Sequence, residues 1–507
     1  MRSLRSWALT LVASVTLSFH APLVLAQSTD EDLRKEIQQL RERLEQLEKK
    51  LERQPAAAAP QPATPSTREQ ALQQKVDDLD QQVRVLGRKQ ELAQEQTTAE
   101  KEKNKSNGVV VAGREGFGIR SADNAFKLNF KGVLQVDSRF YDGTRLSSPP
   151  VPGTQTPDTF LLRRARPIIE GTLYDKYDFR LMPDFGNGKQ QLFDAYIQAR
   201  FLPELQLRVG KYKSPFGLEQ LQEDVSLTFA ERSLVTDLVP NRDVGAQLQG
   251  NLFDGTLAYQ VGVFNGEPDG TTQADIDSNS GKDIEARVFA RPFLNGSLSP
   301  LRGLGVGLAY TTGRQTGSTG TSNLPTYVTI GQQAFFGYNT GAFANGDRQR
   351  VSPQAYYYWG PFGALVEYVR SSQDATRAGI TRTIDNNAWQ VNLGWVLTGE
   401  DAGFDGVTPN HPFVPGKGGW GAFQIVARYS QLTVDDDAFA GSAAVRLAEP
   451  TASAREAKDT GIGLNWYISK YIRVYFDYDR TKFTGGNTGG SDRPDEKVFI
   501  SRFQLAF

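Results

Sequence analysis

The feature that most constrains this chain is a strict alternation of side chains over segments longer than a soluble strand needs. Between residues 126 and 141 the even positions Phe126, Leu128, Phe130, Gly132, Leu134 and Val136 are apolar or small. The odd positions Lys127, Asn129, Lys131, Val133, Gln135, Asp137 and Arg139 are mostly polar or charged. Successive side chains of a strand point to opposite faces, so this run has one greasy face and one wet one. Ile472, Val474, Phe476 and Tyr478 alternate in the same way with Arg473, Tyr475, Asp477 and Asp479. They follow Ile462, Leu464, Trp466 and Ile468 through the turn Ser469-Lys470-Tyr471. The last strand sets Phe499, Phe503, Leu505 and Phe507 against Arg502 and Gln504. A soluble barrel or sandwich shares the period of two, but its interior must be apolar, and these inward faces are too charged. The pattern predicts a transmembrane barrel, greasy outside and wet inside.

Connection lengths add a direction. Tyr174-Asp175-Lys176, Pro203-Glu204 and Asp254-Gly255 read as short turns. Residues 142–158, 214–241, 266–281, 315–348, 373–383, 434–457 and 483–495 read as long polar loops. Short turns at one end and long loops at the other belong to an up-and-down membrane barrel, here of about 16 antiparallel strands. Residues 400–419 are a long connection where a short turn is expected.

Composition excludes several other functions. There is no cysteine, hence no disulfide, iron–sulfur cluster or Cys-ligated zinc. Lys+Arg (57) balances Asp+Glu (58), which gives no nucleic-acid signature. After residue 26 no apolar run reaches the roughly 18 residues of a membrane helix. Of two histidines, only His411 lies beyond that point, between two prolines in a connection. It suits neither a multi-histidine metal site nor a serine hydrolase on the barrel wall. We therefore expect no cofactor and no enzymatic activity. The run Asp435-Asp436-Asp437 reads as a solvated loop.

Residues 1–26 read as a signal peptide: Arg2 and Arg5, then an apolar stretch, then Val24-Leu25-Ala26. Residues 27–107 read as coiled-coil segments. One seam runs Leu33, Ile37, Leu40, Leu44, Leu47, Leu51 and a second runs Leu72, Val76, Leu79, Val83, Leu86, out of phase across the Pro/Ala-rich linker 55–66. Residues 94–108 read as a flexible polar link, and the barrel occupies residues 108–507. The helical segment serves as a spacer or oligomerisation element, or makes contact with the cell wall.

The strings LRRARPIIEGTLYDKYDFRLMPDFGNG, LFDAYIQARFLPELQLRVGKYKSPFGLEQ and LTFAERSLVTDLVPNRDVG, with VLTGE and GLNWYISKYIRVYFDY further on, resemble the phosphate-selective porin O and P family of Gram-negative outer membranes. The resemblance implies a homotrimer of 16-stranded barrels in outer-membrane lipid, the N-terminal segment periplasmic, each channel narrowed by an inward loop at 214–241. It places the family's basic pore lining on Arg163 and Arg164, the constriction arginine on Arg232 and the pore carboxylate on Asp194. Arg166, Lys211 and Lys213 add positive charge. Two positions depart from the phosphate-specific pattern: Val133 stands for an arginine and Gln220 for a lysine.

These residues point to passive, anion-preferring diffusion of small solutes, phosphate among them, since converging guanidinium and ammonium groups replace an oxyanion's hydration. The alternative is a structural anchor with non-selective diffusion, whose coiled coil tethers the envelope. Alternation puts Arg164, Arg166 and Glu170 in the lumen and Arg163 on the outward face. The arginines could instead be wall charges paired with Glu170, and Asp194 could pair with a wall arginine.

Overall fold

The computed structural model describes residues 28–52, 67–105, 108–113, 116–142, 157–272, 275–277 and 279–507. The expected signal peptide, the linker 55–66 and residues 143–156 lie outside the described residues. The chain divides into two units, Met1–Asn107 and Gly108–Phe507.

In the first unit α1 (Ser28–Glu52) and α2 (Thr67–Lys105) pack against each other. Ile37 is buried, and Leu40, Leu44, Leu47, Val76, Leu79, Val83 and Leu86 are partly covered, while most of their polar neighbours are exposed. The expected flexible link at 94–108 is instead helical as far as Lys105. Its Gln, Glu, Ala and Lys are good helix formers, and polarity alone does not break a helix.

In the second unit sixteen strands, among the described residues, form one antiparallel sheet. They are β1 (Lys127–Tyr141), β2 (Thr159–Leu173), β3 (Tyr177–Asp184), β4 (Gln191–Leu202), β5 (Leu205–Lys213), β6 (Arg242–Leu252), β7 (Leu257–Phe264) and β8 (Asp283–Ala290). Then follow β9 (Leu304–Thr316), β10 (Phe343–Trp359), β11 (Phe362–Arg377), β12 (Ile380–Val396), β13 (Ala422–Thr433), β14 (Ala454–Tyr467), β15 (Ile472–Gly485) and β16 (Glu496–Ala506). Each strand pairs with the next, and β16 returns to β1 from Val498↔Tyr141 to Ala506↔Val133, closing the barrel. Closure leaves no free edge, as a lipid environment demands. A small hairpin, Val109–Gly113 with Gly116–Arg120, extends the sheet below the seam through Phe117↔Phe130 to Arg120↔Lys127.

The alternation orients the strands as read. Leu134, Val136, Phe140, Phe476, Tyr478, Phe499 and Phe503 are exposed outside, while Gln135, Asp137, Arg139, Arg473, Asp477, Arg502 and Gln504 are buried inside. At the end carrying the barrel's termini most connections are short: 174–176, 203–204, 253–256, 360–361 and 468–471. Two are long, 291–303 and 397–421. At the other end the expected loop 373–383 is a two-residue turn, Ala378-Gly379, both at positive φ, because β11 and β12 continue pairing to Arg377↔Ile380. Polar residues there are strand residues above the apolar belt.

The lumen is not uniformly wet. Inward-facing Ala309, Ala344, Ala375, Ala388 and Ala457 leave space that Phe216, Leu234, Val235, Tyr327, Phe335 and Phe336 of two long connections fill as a buried apolar cluster. At the seam the Phe507 ring lies over Gly132, with Phe117 edge-on to it at 5.8 Å. The Gly132 and Phe507 backbones exchange hydrogen bonds of 3.0 and 3.1 Å. A Cβ at 132 would stand 2.7 Å from that ring. Gly132→Leu should therefore lower stability by about 1–3 kcal/mol, the usual cost of overpacking. Thermal unfolding in detergent, read as loss of the compact band on unboiled gels, checks this; Gly337→Ala, whose added Cβ would meet nothing within 4 Å, should be silent.

Candidate functional site

The segment 214–241 leaves β5, crosses the lumen and returns to β6. Its backbone is fastened to the far wall at many points. Glu367 on β11 accepts from the Leu218 and Glu219 amides at 2.6 and 3.2 Å. Asn465 on β14 donates to the Thr228 carbonyl at 2.8 Å. Asp477 on β15 accepts from the Ala230 amide at 2.7 Å, and Arg428 on β13 donates to the Glu231 carbonyl at 2.7 Å. Gln504 on β16 donates to the Val225 carbonyl at 3.1 Å. From the opposite end the connection 397–421 meets the same segment: Gln222 donates to the Phe404 carbonyl at 2.6 Å and Ser226 to that of Asp405 at 2.9 Å.

Two loop carboxylates organise the arginines around this crossing. Asp224 pairs with Arg164 at 3.3 Å and, more closely, with Arg166 and Arg232. Glu231 pairs with Arg163, Arg139 and Arg502 at 2.6, 2.7 and 2.6 Å. Burial alone would raise the Asp224 carboxyl; Arg164, Arg232 and Arg166 outweigh it and hold the group well below the usual carboxylate range. Burial is likewise outweighed at Glu231, by Arg163, Arg502 and Arg139. Asp237 lacks such partners, and burial, joined by the charge of Asp269, pushes it well above that range although the Val328 amide opposes the shift.

Beside these pairs lies a cavity of ≈ 160 Å³ lined by Arg163, Arg164, Arg166, Arg232 and Arg242, with Asp224, Glu231, Asp237 and Gln220. Five guanidinium groups thus face three carboxylates, one of them biased toward its neutral form. A second space of ≈ 350 Å³ on the side of the barrel's termini shares Arg166 and Asp224, so this ion pair stands at the partition. Arg164 Nε and Arg242 Nη2 are buried with no hydrogen-bond partner.

Two β-bulges aim side chains into the cavity. Gln135 opposes Arg164 while Val136 opposes Leu162, so Arg163 is the extra residue of β2. The bulge corrects the outward placement that simple alternation gives: the Arg163 guanidinium turns inward to Glu231. On β4, Met182 opposes Asp194 and Pro183 opposes Leu192, leaving Phe193 extra; Pro183 has no amide for the ladder. The Phe193 ring then lies between Arg166 and Arg242, 4.3 and 4.4 Å from their guanidinium carbons.

The other expected residues fall around this cluster. Asp194 pairs with wall arginines, Arg242 at 3.0 Å and Arg180 at 3.3 Å. Glu170 pairs with Lys131 and Arg180, not with Arg163, Arg164 or Arg166. Lys211 pairs with Asp275 at 2.8 Å, and Lys213 donates to the Gln222 carbonyl at 2.8 Å, holding the loop from below. Gln220 donates to Asn241, and Val133 sits opposite Arg166. Among the described residues no Asp, Glu or His cluster has metal-ligand geometry, and Asp435 caps a short helical turn by accepting from the Asp437 amide. Sequence reasoning missed Arg242, Asp224, Glu231 and Phe193 as site members. Arg139 and Arg502 carried a signal, their place on the wet face of β1 and β16.

The family model "Phosphate-selective porin O and P" matches residues 140–507. The chain belongs to this family. It is an outer-membrane porin of the Gram-negative type, not an enzyme. Porin O of Pseudomonas aeruginosa is 26% identical over 432 residues, covering 79% of this chain and 92% of that protein. Among solved structures, the outer-membrane channel DcaP of Acinetobacter baumannii aligns with a TM-score of 0.49 at 12% identity, covering 77% of this chain and 99% of that one. The anion-selective porin from Comamonas acidovorans aligns with a TM-score of 0.44 at 11% identity, covering 75% and 100%.

The depressed carboxylates set a sign for pH dependence. Their ion pairs stabilise this porin fully above the ordinary carboxylate range, about pH 4, and the contribution is lost as pH falls through their lowered values. Asp224→Asn should lower the unfolding temperature between pH 5 and 7, the deletion of one buried partner costing about 3–5 kcal/mol. The difference from the unmodified protein should shrink as pH drops below about 3. Thermal unfolding of both proteins across that range checks it.

Proposed function

We propose that this porin passes small anions in preference to cations and that inorganic phosphate is among its solutes. The single observation carrying this reading is the excess of guanidinium over carboxylate around the loop-narrowed cavity, two of whose guanidinium groups each keep a buried nitrogen without a hydrogen-bond partner. An anion entering there replaces lost hydration with charge-assisted hydrogen bonds, whereas a cation meets arginines already held in place. Asp224 and Glu231 hold the guanidinium groups apart and partly neutralise them, so that an anion binds and is released. Gln220 in the cavity and Val133 in the adjoining space leave this region without two further cations, which favours general anion passage over tight phosphate retention.

The test is the reversal potential of the purified protein in a planar bilayer under a KCl gradient. Chloride should be preferred, and Arg164→Gln with Arg166→Gln should lower the chloride-to-potassium permeability ratio several-fold. Preference for potassium in the unmodified protein would overturn the reading. Phosphate should block chloride current weakly, and Val133→Arg with Gln220→Lys should strengthen that block by an order of magnitude.

A further inference from the structure

Outside the barrel, the alternation of β14, β15 and β16 continues above the apolar belt into cations. Lys458, Arg480, Lys482 and Lys497 occupy outward positions, and the register sets Lys458 opposite Lys482 and Arg480 opposite Lys497. Like charges directly opposite one another destabilise a sheet. Three carboxylates reply: Glu456 to Lys458 at 2.6 Å, Asp495 to Arg480 at 2.6 Å and Asp142 to Lys497 at 3.0 Å. Lys482 has no ion pair among the described residues. Such exposed pairs are weak and exchangeable.

Immediately below, on the same face, lies an open apolar groove of ≈ 600 Å³. The small side chain of Ala427 lies among Leu393, Ile425, Ile462, Phe476 and Phe499, which with their neighbours form its walls. Phe499 is the next outward position below Lys497 on β16, and Tyr478 the next below Arg480 on β15. A row of cations therefore caps a greasy slot at the end bearing the long loops, which in an outer-membrane barrel faces the cell exterior.

We propose that this face binds a phosphorylated, multiply acylated lipid of the outer leaflet, its phosphates on the four cations and an acyl chain in the groove. A phosphate relieves the like-charge pairs through charge-assisted hydrogen bonds. A second copy of the chain is a poorer occupant, since it would bury Lys482 without a counter-charge.

The experiment measures binding of the purified, full-length protein in detergent to diphosphorylated hexa-acyl lipid A and to its dephosphorylated form, by native mass spectrometry. The diphosphorylated form should bind at least tenfold more tightly. Lys458→Gln with Lys482→Gln should weaken it about fivefold per cation removed. Ala427→Trp should weaken both forms, whereas Arg370→Gln, an exposed outward cation paired with Asp385 on β11 and β12, should change neither. Equal affinity for the two lipids, or unchanged affinity in the lysine variant, would overturn the proposal. So would an Ala427→Trp protein that changes oligomeric state while retaining lipid affinity. Channel selectivity is read separately and does not bear on this outcome.

Discussion

Everything in the lumen depends on two loop carboxylates that each collect three arginines. A closed sheet of sixteen strands has no edge and no separate core; its inward face must be satisfied by whatever enters it. Asp224 and Glu231 enter on one segment and draw in arginines from β1, β2 and β16 as well as Arg232 of the loop itself. The attraction fixes the loop across the channel and spreads the guanidinium groups around it. One arrangement thus holds the loop inside the lumen and gathers guanidinium groups around it.

This arrangement distinguishes structural charge from functional charge. Breaking a buried ion cluster is costly because each remaining charge loses its partner, yet the cluster need not add net stability over apolar packing. Elsewhere in the same lumen the chain uses apolar packing: alanines on β9 to β14 accept Phe216, Tyr327 and Phe335. The arginines therefore mark where the barrel has kept a polar space instead of filling it.

Much of the architecture was legible because a strand's period of two is local. Strand direction, the wet and greasy faces, and the lumenal placement of Arg164, Arg166 and Arg502 follow from counting residues. Arg163 was misplaced because one extra residue in a ladder reverses every parity argument beyond it, and a bulge on β2 has no strong composition signal. The bulge at Phe193 did carry one, Pro183 on the neighbouring strand. The turn at 378–379 was hidden because strands above the apolar belt become polar on both faces and resemble loops. Asp224 and Glu231 could not be assigned, since a loop carboxylate gains its role only from strands distant in sequence.

On the proposed reading, the cluster lets a channel favour anions without trapping them. A site with all its guanidinium groups free would hold an oxyanion tightly, and slow release limits flux. Here the positive charge is largely engaged, so an arriving anion must compete with Asp224 and Glu231 for donors. What it gains is the difference between bonds to a mobile solute and bonds to fixed carboxylates. Absence of a cation at Val133 and Gln220 shifts the balance further toward release. On that reading selectivity would come from the sign of the local potential, and throughput from how completely the protein's own carboxylates oppose it.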